Sequence, residues 1–176
     1  HNYEGTYHYC YCTKSSHFKH ILNTALENDI HIETSSAFDL DIVVNLKAQG
    51  KITDNTYVIS NGFKRDHYVQ NIARLINSGH KNCIVVIDNY EEITLFDQVV
   101  DGNYNVGIRI ASEEDPKFEF YTSRLGIGYK NIVPFYNRKI KNNPKVTLKM
   151  LHFFINTGIR DTAYYWNELL KCMKVY

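Results

Sequence analysis

The sequence predicts an α/β fold, in which about six strand–helix units form an incomplete (β/α)8 barrel. In the 176 residues, short apolar runs with strand character alternate with segments whose apolar residues recur at helical spacing. The connections are short, and such alternation requires a parallel sheet with helices outside it. Neither GxGxxG nor GxxxxGK[ST] occurs, so the phosphate turn expected of an open doubly wound sheet is missing and the barrel is favoured.

Each element has its own signal. Strands are short runs rich in β-branched and aromatic residues, predicted at 7–12, 30–32, 56–60, 83–87, 105–111 and 146–155. Helical spacing places a helix after each strand, at about 18–26, 36–46, 68–76, 93–99, 129–140 and 161–173. Ser36 with Asp39 resembles a capping box, and Gly79 ends a helix. Residues 112–128 are predicted to form a long polar connection.

Composition excludes several classes of protein. A chain that is 44% hydrophobic can bury a core, which a disordered tail cannot. A formal net charge of +1 argues against nucleic acid as the main partner, because phosphate binding needs a basic excess. The longest apolar run, 83–87, is far shorter than the roughly 18 residues of a membrane span. Four cysteines are too few for a disulfide scaffold and no signal peptide is recognisable, so a cytoplasmic location is expected.

Candidate functional residues follow from the rule that catalytic side chains of a (β/α)8 barrel lie at the carboxyl ends of its strands. The candidates are Lys14, Glu33, Asn61, Asp88, Arg109 and the stretch 154–157. Cys10 and Cys12 have no second cysteine pair at zinc spacing, so no metal site is predicted. His152, on the sixth predicted strand, is interpreted from its position as a hydrogen-bonded core histidine.

Lys14 follows the first predicted strand. If that strand extends far enough, alternation places Lys14 on the face of the small Cys10 and Cys12, which are suited to line the barrel lumen. The opposite face, toward the helices, would carry Tyr7, Tyr9 and Tyr11. An inward lysine is costly unless it is paired or used covalently, and a desolvated lysine is a nucleophile that can form a Schiff base. The alternative is an ordinary solvated lysine at a strand end.

Arg109 and Glu33 are the other charged candidates that need an explanation. Arg109 lies inside an apolar strand, where an arginine needs an anionic or carbonyl partner. It is suited to hold a phenolate-like oxygen or a carboxylate, or to form a structural ion pair with an acid such as Glu33 or Asp88. Glu33 ends the second strand, where an acid can act on a bound ring or brace a lysine. Its alternative is an exposed loop acid.

Several motifs, in order, resemble those of the fold-type III pyridoxal-phosphate decarboxylases of basic amino acids, and most closely an arginine decarboxylase-like group. Tyr11 to Ser16 resembles the first-strand Y-x-x-K-x-N, and 33–39 resembles acid-x-x-S-x-x-E. Residues 61–64 resemble N-P/G-x-K, and Asp88 falls where the family has an acid on strand four. The remaining matches are 109–112 with R-I-A-T/S, 123–126 with S-K-F-G and 153–158 with F-H-x-G-S.

The resemblance implies a role for each matched residue. Lys14 would hold pyridoxal 5′-phosphate as a Schiff base, the internal aldimine. Glu33 would lie at or near the pyridine-nitrogen side, and Arg109 close to the ring and its phenolic oxygen. Thr157, in place of the family serine, would contact the phosphate.

The chain departs from the family pattern beside the predicted ring site. The family's ring-stacking histidine aligns with Phe154, which can stack on a ring but cannot transfer a proton. His152 is predicted on the same strand face, one layer away, as a partial substitute. Ser16 replaces an asparagine, and Asn156 replaces a glycine.

The function implied is that of a pyridoxal-phosphate-dependent carboxy-lyase, with L-arginine as the expected substrate, agmatine as product and polyamine biosynthesis as the setting. A homodimer is also implied. Residues 1–176 would form part of the cofactor-binding barrel. The rest of the barrel and a C-terminal β domain would lie beyond Tyr176, so the chain alone is expected to be inactive. Two alternatives stay open: a non-catalytic barrel homologue that regulates a decarboxylase, and a cofactor-free barrel enzyme using Lys14 as a Schiff-base lysine.

Overall fold

The computed structural model describes residues 4–111, 125–154 and 162–176. The chain divides into two compact units, residues 1–84 and 85–176. None of the helices in the described ranges is long and apolar enough to cross a lipid bilayer.

The first unit alternates strands with helices, as predicted. Its elements are β1 (Cys10–Cys12), α1 (Lys19–Glu27), β2 (His31–Thr34), α2 (Ala37–Ala48), β3 (Val58–Ser60), α3 (Asp66–Asn77) and the first residues of β4 (Cys83–Ile87). β1, β2 and β3 are neighbouring parallel strands, with Cys12 opposite Glu33 and Glu33 opposite Ile59. Because parallel neighbours end at the same edge, the residues that follow them are brought together.

The two faces of this sheet have different surroundings. On the helix side, Thr34 is fully buried and its hydroxyl forms a 3.0 Å hydrogen bond with the hydroxyl of Tyr68 in α3. The opposite face carries half-buried side chains from β1 and β2: Cys10, Cys12, His31 and Glu33. The prediction that Cys10 and Cys12 lie on the face of β1 away from the helices is therefore confirmed.

The start of α2 follows the capping pattern in the sequence. The Ser36 hydroxyl accepts a hydrogen bond from the Asp39 amide at 3.3 Å. Asp39 Oδ2 in turn accepts a hydrogen bond at 2.9 Å from the amide of Ser35, the residue before the cap. These bonds satisfy amide groups that have no partner inside the helix, which is why α2 begins here.

The second unit continues the pattern. Its elements are the rest of β4, then α4 (Glu92–Val99), β5 (Tyr104–Ala111), β6 (Ile127–Gly128), α5 (Ile132–Phe135), β7 (Val146–Phe153) and α6 (Thr162–Val175). A 3-10 turn (Tyr129–Asn131) precedes α5 and a π-helical segment (Tyr136–Ile140) follows it. β5 pairs in parallel with both β6 and β7. Within the units, the hydrogen-bonded strand order is β1–β2–β3 in the first, and in the second β5 lies between β6 and β7.

The tyrosine-rich start of the chain differs from its prediction. β1 begins only at Cys10, because β2, the strand it pairs with, begins at the opposing His31. Tyr7 and Tyr9 therefore precede the strand and are 80% and 53% exposed, so their expected packing toward the helices is wrong.

The second unit also differs from the prediction in two places. Strand β6 lies inside the expected polar connection, and its two residues are too few to show a hydrophobic period. The predicted helix over 129–140 is helical throughout but irregular, because Pro134 has no backbone N–H to donate to a regular helix. The first residue of the last predicted helix, Asp161, lies outside the described residues, as do most of the polar connection and the end of the sixth predicted strand.

We expect Gly126→Ala to destabilise the protein strongly. Gly126 has a φ of +106°, and a Cβ there would lie 2.8 Å from the Ala111 amide nitrogen and 3.0 Å from the Arg109 carbonyl oxygen. Left-handed backbone strain and overpacking together predict a loss of about 2 to 5 kcal/mol in the free energy of unfolding, measured by urea denaturation. Gly102→Ala is the matched control, because nothing lies within 4 Å of its Cβ position. Equal losses in the two variants would contradict this close approach.

Candidate functional site

Lys14 is presented by a turn that directly follows β1. The preceding Thr13 is 1% exposed, and its amide and hydroxyl both donate to the Glu33 carbonyl oxygen, at 2.9 and 3.1 Å. The Ser15 amide donates to the Cys12 carbonyl at 3.1 Å and closes the turn. The strand itself stops at Cys12, so Lys14 is an exposed turn residue and not an inward strand residue. Its amine thus reaches solvent from an anchored backbone at the carboxyl end of β1.

Glu33 and Asn61 meet at the ends of β2 and β3. Asn61 Nδ2 donates to Glu33 Oε1 at 2.9 Å. Asn61 Oδ1 accepts the Gly62 amide at 2.9 Å, so the orientation of this side-chain amide is set from both ends. Glu33 is therefore half-buried and hydrogen-bonded, which differs from the alternative of an exposed loop acid. Both residues were candidates from their positions, but their pairing was not predicted.

A compact turn with a buried lysine follows β3. Gly62 has a φ of +82°, and a Cβ there would lie 3.2 Å from the Ser35 carbonyl oxygen. The chain reverses so that Lys64 Nζ donates to the Gly62 carbonyl at 2.9 Å, and Lys64 is only 7% exposed. Sequence reasoning quoted this segment as part of a motif but did not single out Lys64. The signal was available in the Asn-Gly pair, which favours a tight turn.

The electrostatic environment of β1 keeps its first cysteine neutral. Burial and, to a lesser extent, the negative charge of Glu33 raise the pKa of Cys10 from 9.0 to about 11. A thiol with this pKa stays protonated at neutral pH, and the thiolate is the form that binds metals and attacks electrophiles. The described part of the chain contains no group of three or more His, Cys, Asp or Glu residues arranged to bind a metal ion.

In the second unit, Arg109 pairs with Asp88. Arg109 Nε lies 3.8 Å from Asp88 Oδ1, and their side chains are 12% and 0% exposed. The Asp88 amide donates to Glu92 Oε2 at 2.9 Å, which ties the end of β4 to the start of α4. The structural ion pair foreseen for Arg109 is therefore formed with Asp88.

The same arginine lies against an aromatic ring. The Arg109 guanidinium carbon is 5.7 Å from the centroid of the Phe154 ring, a distance typical of a cation–π contact. His152 is opposite Arg109 in the β5–β7 register, so the two side chains share a face of the sheet, and His152 is half-buried. Phe154 remains 51% exposed. Thr157 lies outside the described residues.

Comparison with known proteins defines the class. A family model described as the pyridoxal-dependent decarboxylase, pyridoxal binding domain matches residues 1–176, and the chain belongs to this family. Among curated relatives, it is 24% identical over 193 residues to the biosynthetic arginine decarboxylase 2 of Synechocystis sp. (strain ATCC 27184 / PCC 6803 / Kazusa), a match that covers 99% of this chain and 29% of the relative. The chain thus spans less than a third of that relative's length.

Solved structures show the same fold. The lysine decarboxylase of Selenomonas ruminantium, in complex with PLP and cadaverine, matches with a TM-score of 0.75 at 17% identity, over 96% of this chain and 39% of that one. The diaminopimelate decarboxylase of M. jannaschii, in co-complex with L-lysine, matches with a TM-score of 0.74 at 15% identity, again over 96% and 39%. These matches confirm the predicted fold class, part of a decarboxylase (β/α)8 barrel.

The residues present fit the aldehyde and the heteroaromatic ring of a group such as pyridoxal phosphate. The first unit offers an exposed primary amine on an anchored turn and a carboxylate held by an amide donor. The second unit offers a half-exposed aromatic ring with a guanidinium against it. An amine is the group that reacts with an aldehyde, and carboxylate, guanidinium and aromatic side chains are the groups that orient a charged heteroaromatic ring.

We expect Glu33→Gln to lower the pKa of Cys10 from about 11, because the charge that opposes thiolate formation is removed. The pKa should stay above 9.0, since burial is the larger cause and persists. The measurement is the pH dependence of Cys10 alkylation in a Cys12→Ser background, followed by mass spectrometry. Glu27→Gln, which removes an exposed acid on α1, is the control and should leave the profile unchanged. Identical profiles for Glu33→Gln and the parent would mean that Glu33 does not act on this thiol.

Proposed function

We propose that this chain forms the cofactor-binding part of a decarboxylase of basic amino acids, with L-arginine as the substrate and Lys14 as the residue that bears pyridoxal phosphate. The observation that carries the proposal is the position of Lys14. Its exposed amine is held on an anchored turn at the carboxyl end of β1, in a chain that belongs to a pyridoxal-binding family.

The choice of arginine is supported by the curated relative. The match that covers 99% of this chain is a biosynthetic arginine decarboxylase, whereas the solved structures are lysine and diaminopimelate decarboxylases that share the fold at 15 to 17% identity. All three substrates are amino acids with a second amino or guanidino group. Agmatine would be the product, which suits an enzyme that supplies polyamine biosynthesis.

In this function each residue has a task that its contacts support. When bound, pyridoxal phosphate supplies an electron sink for the bond that breaks at the substrate α-carbon. Lys14 supplies the amine for covalent attachment, and Glu33 offers a fixed carboxylate for a cationic nitrogen. Asp88 holds Arg109 in one orientation, which suits Arg109 to bind an anionic oxygen.

The remaining proposed contacts come from the end of β7 and beyond. Phe154 has an exposed ring surface to stack on a flat ligand, with His152 on the same face as Arg109. Thr157 is proposed as a phosphate contact on the resemblance alone. A homodimer is proposed as the family resemblance implies, and a cytoplasmic location is proposed from the low cysteine content.

A non-catalytic homologue that regulates a decarboxylase is the second candidate. It is favoured by Phe154, whose side chain lies against Arg109 and has no group that transfers a proton. Both candidates keep the fold, but only the enzyme needs a lysine that is covalently modified during each reaction cycle.

We expect Lys14→Ala to abolish covalent cofactor attachment and to reduce arginine decarboxylation to background, because no other side chain would replace the amine. The full-length protein is incubated with pyridoxal phosphate, reduced with borohydride, digested and mapped by mass spectrometry, and agmatine is assayed in parallel. Lys19→Ala, which removes another exposed lysine of the first unit, is the control and should behave as the parent.

Three outcomes separate the candidates. Labelling at Lys14 with agmatine formation supports the enzyme. Labelling without release of CO₂ from arginine, lysine or diaminopimelate supports the regulatory homologue. A label that persists in Lys14→Ala refutes the assignment of the lysine.

A further inference from the structure

Asn61 is hydrogen-bonded through every polar group that it has. Its side-chain amide donates to Glu33 Oε1 and accepts from the Gly62 amide, each at 2.9 Å. Its backbone amide donates to the Thr34 carbonyl at 2.9 Å, and its carbonyl accepts the Tyr68 hydroxyl at 3.1 Å. Asn61 therefore connects the end of β2, the turn after β3 and helix α3.

These bonds determine which way the side-chain amide points. The Gly62 N–H can only donate, so it must meet the oxygen of the amide, and the NH₂ group must face Glu33. Tyr68 is 2% exposed, and burial raises the pKa of its hydroxyl, which therefore remains a donor to the Asn61 carbonyl. The donor that faces Glu33 is thus neutral and fixed in position.

We propose that Asn61 is a positioning residue for the reaction, which holds the Glu33 carboxylate in one orientation on the sheet face beside the Lys14 turn. This inference rests on the proposed function. A donor that bonds Oε1 fixes the orientation of the carboxylate, whose second oxygen is the acceptor offered to a ligand nitrogen. An amide donor does so without adding a positive charge at the carboxylate.

The surroundings of Glu33 make a neutral donor important. The titratable groups on the neighbouring elements of the first unit include Cys10, Tyr11, Cys12 and Lys14 in and after β1, His31 in β2, Asp39 in α2, Lys64 after β3 and Tyr68 in α3. Cys10, with a pKa of about 11, contributes no charge near neutral pH. A charged donor in place of Asn61 would instead compete with the ligand for Glu33.

Asn61→Asp separates positioning from a purely structural role. The aspartate keeps an oxygen that accepts the Gly62 amide, so the turn is preserved, but it loses the donor and places a second carboxylate at the Glu33 contact. Two carboxylates at hydrogen-bond distance repel each other, so the acidic limb of the pH profile of kcat should move upward by about one pH unit or more. Asn61→Ala removes the donor without adding charge and should raise it less. Asn55→Asp, in an exposed loop, is the matched control and should not change it.

The measurement is the pH profile of kcat for the full-length enzyme, whose acidic limb should move upward in Asn61→Asp. That movement should disappear when Glu33→Gln is added. Borohydride-trapped labelling at Lys14 in the same variants shows whether the cofactor still attaches.

Each result decides one point. An unshifted acidic limb in Asn61→Asp overturns the inference, while agmatine formation leaves the proposed function standing. A shift that persists when Glu33→Gln is added also overturns the inference, because the effect then does not act through Glu33. Absence of both labelling at Lys14 and decarboxylation in the parent protein refutes the proposed function itself, and with it any role of Asn61 in that reaction.

Discussion

The parallel pairing of β1 with β2 is the constraint on which the first unit's candidate site depends. It places Cys12 opposite Glu33, and Thr13 continues the pairing by donating twice to the Glu33 carbonyl beyond the last strand residue. The backbone of Glu33, at the end of β2, therefore holds the turn that carries Lys14. The side chain of Glu33 supplies a carboxylate on the sheet face opposite the helices. The amine and the acid are thus held through one short stretch of backbone.

In each unit, the buried or half-buried candidate acids have compensating groups. Glu33 accepts from a neutral amide, and Asp88 pairs with Arg109 while its own amide is bonded to Glu92. This compensation is what a low-dielectric environment requires, because an unpaired ion there is strongly destabilising. In contrast, Lys14 is exposed, so the group proposed for covalent chemistry is the one that a ligand can approach from solvent.

The family relationship and the local geometry answer different questions. The match over residues 1–176 establishes a pyridoxal-binding domain, and the shared fold with lysine and diaminopimelate decarboxylases shows that this architecture accompanies different substrates. Substrate choice must then depend on side chains around the common fold. Phe154 stands where the family resemblance leads us to expect a histidine, and its ring lies 5.7 Å from the Arg109 guanidinium carbon.

Much of this molecule follows from sequence because it depends on local periodicity. Strand β4 was predicted with its observed limits. The Ser36–Asp39 cap and the positions of most helices were also predicted. These features are readable in the sequence because apolar spacing and capping act within a few residues. The sequence also singled out Lys14, Glu33, Asn61 and Arg109 as chemically unusual at strand ends. Tertiary contacts decided the limits of β1, the existence of β6, the burial of Lys64, the choice of Asp88 as partner of Arg109, and the Asn61–Glu33 hydrogen bond. These depend on which strand lies beside which and on the direction of each side chain, and no local pattern encodes either.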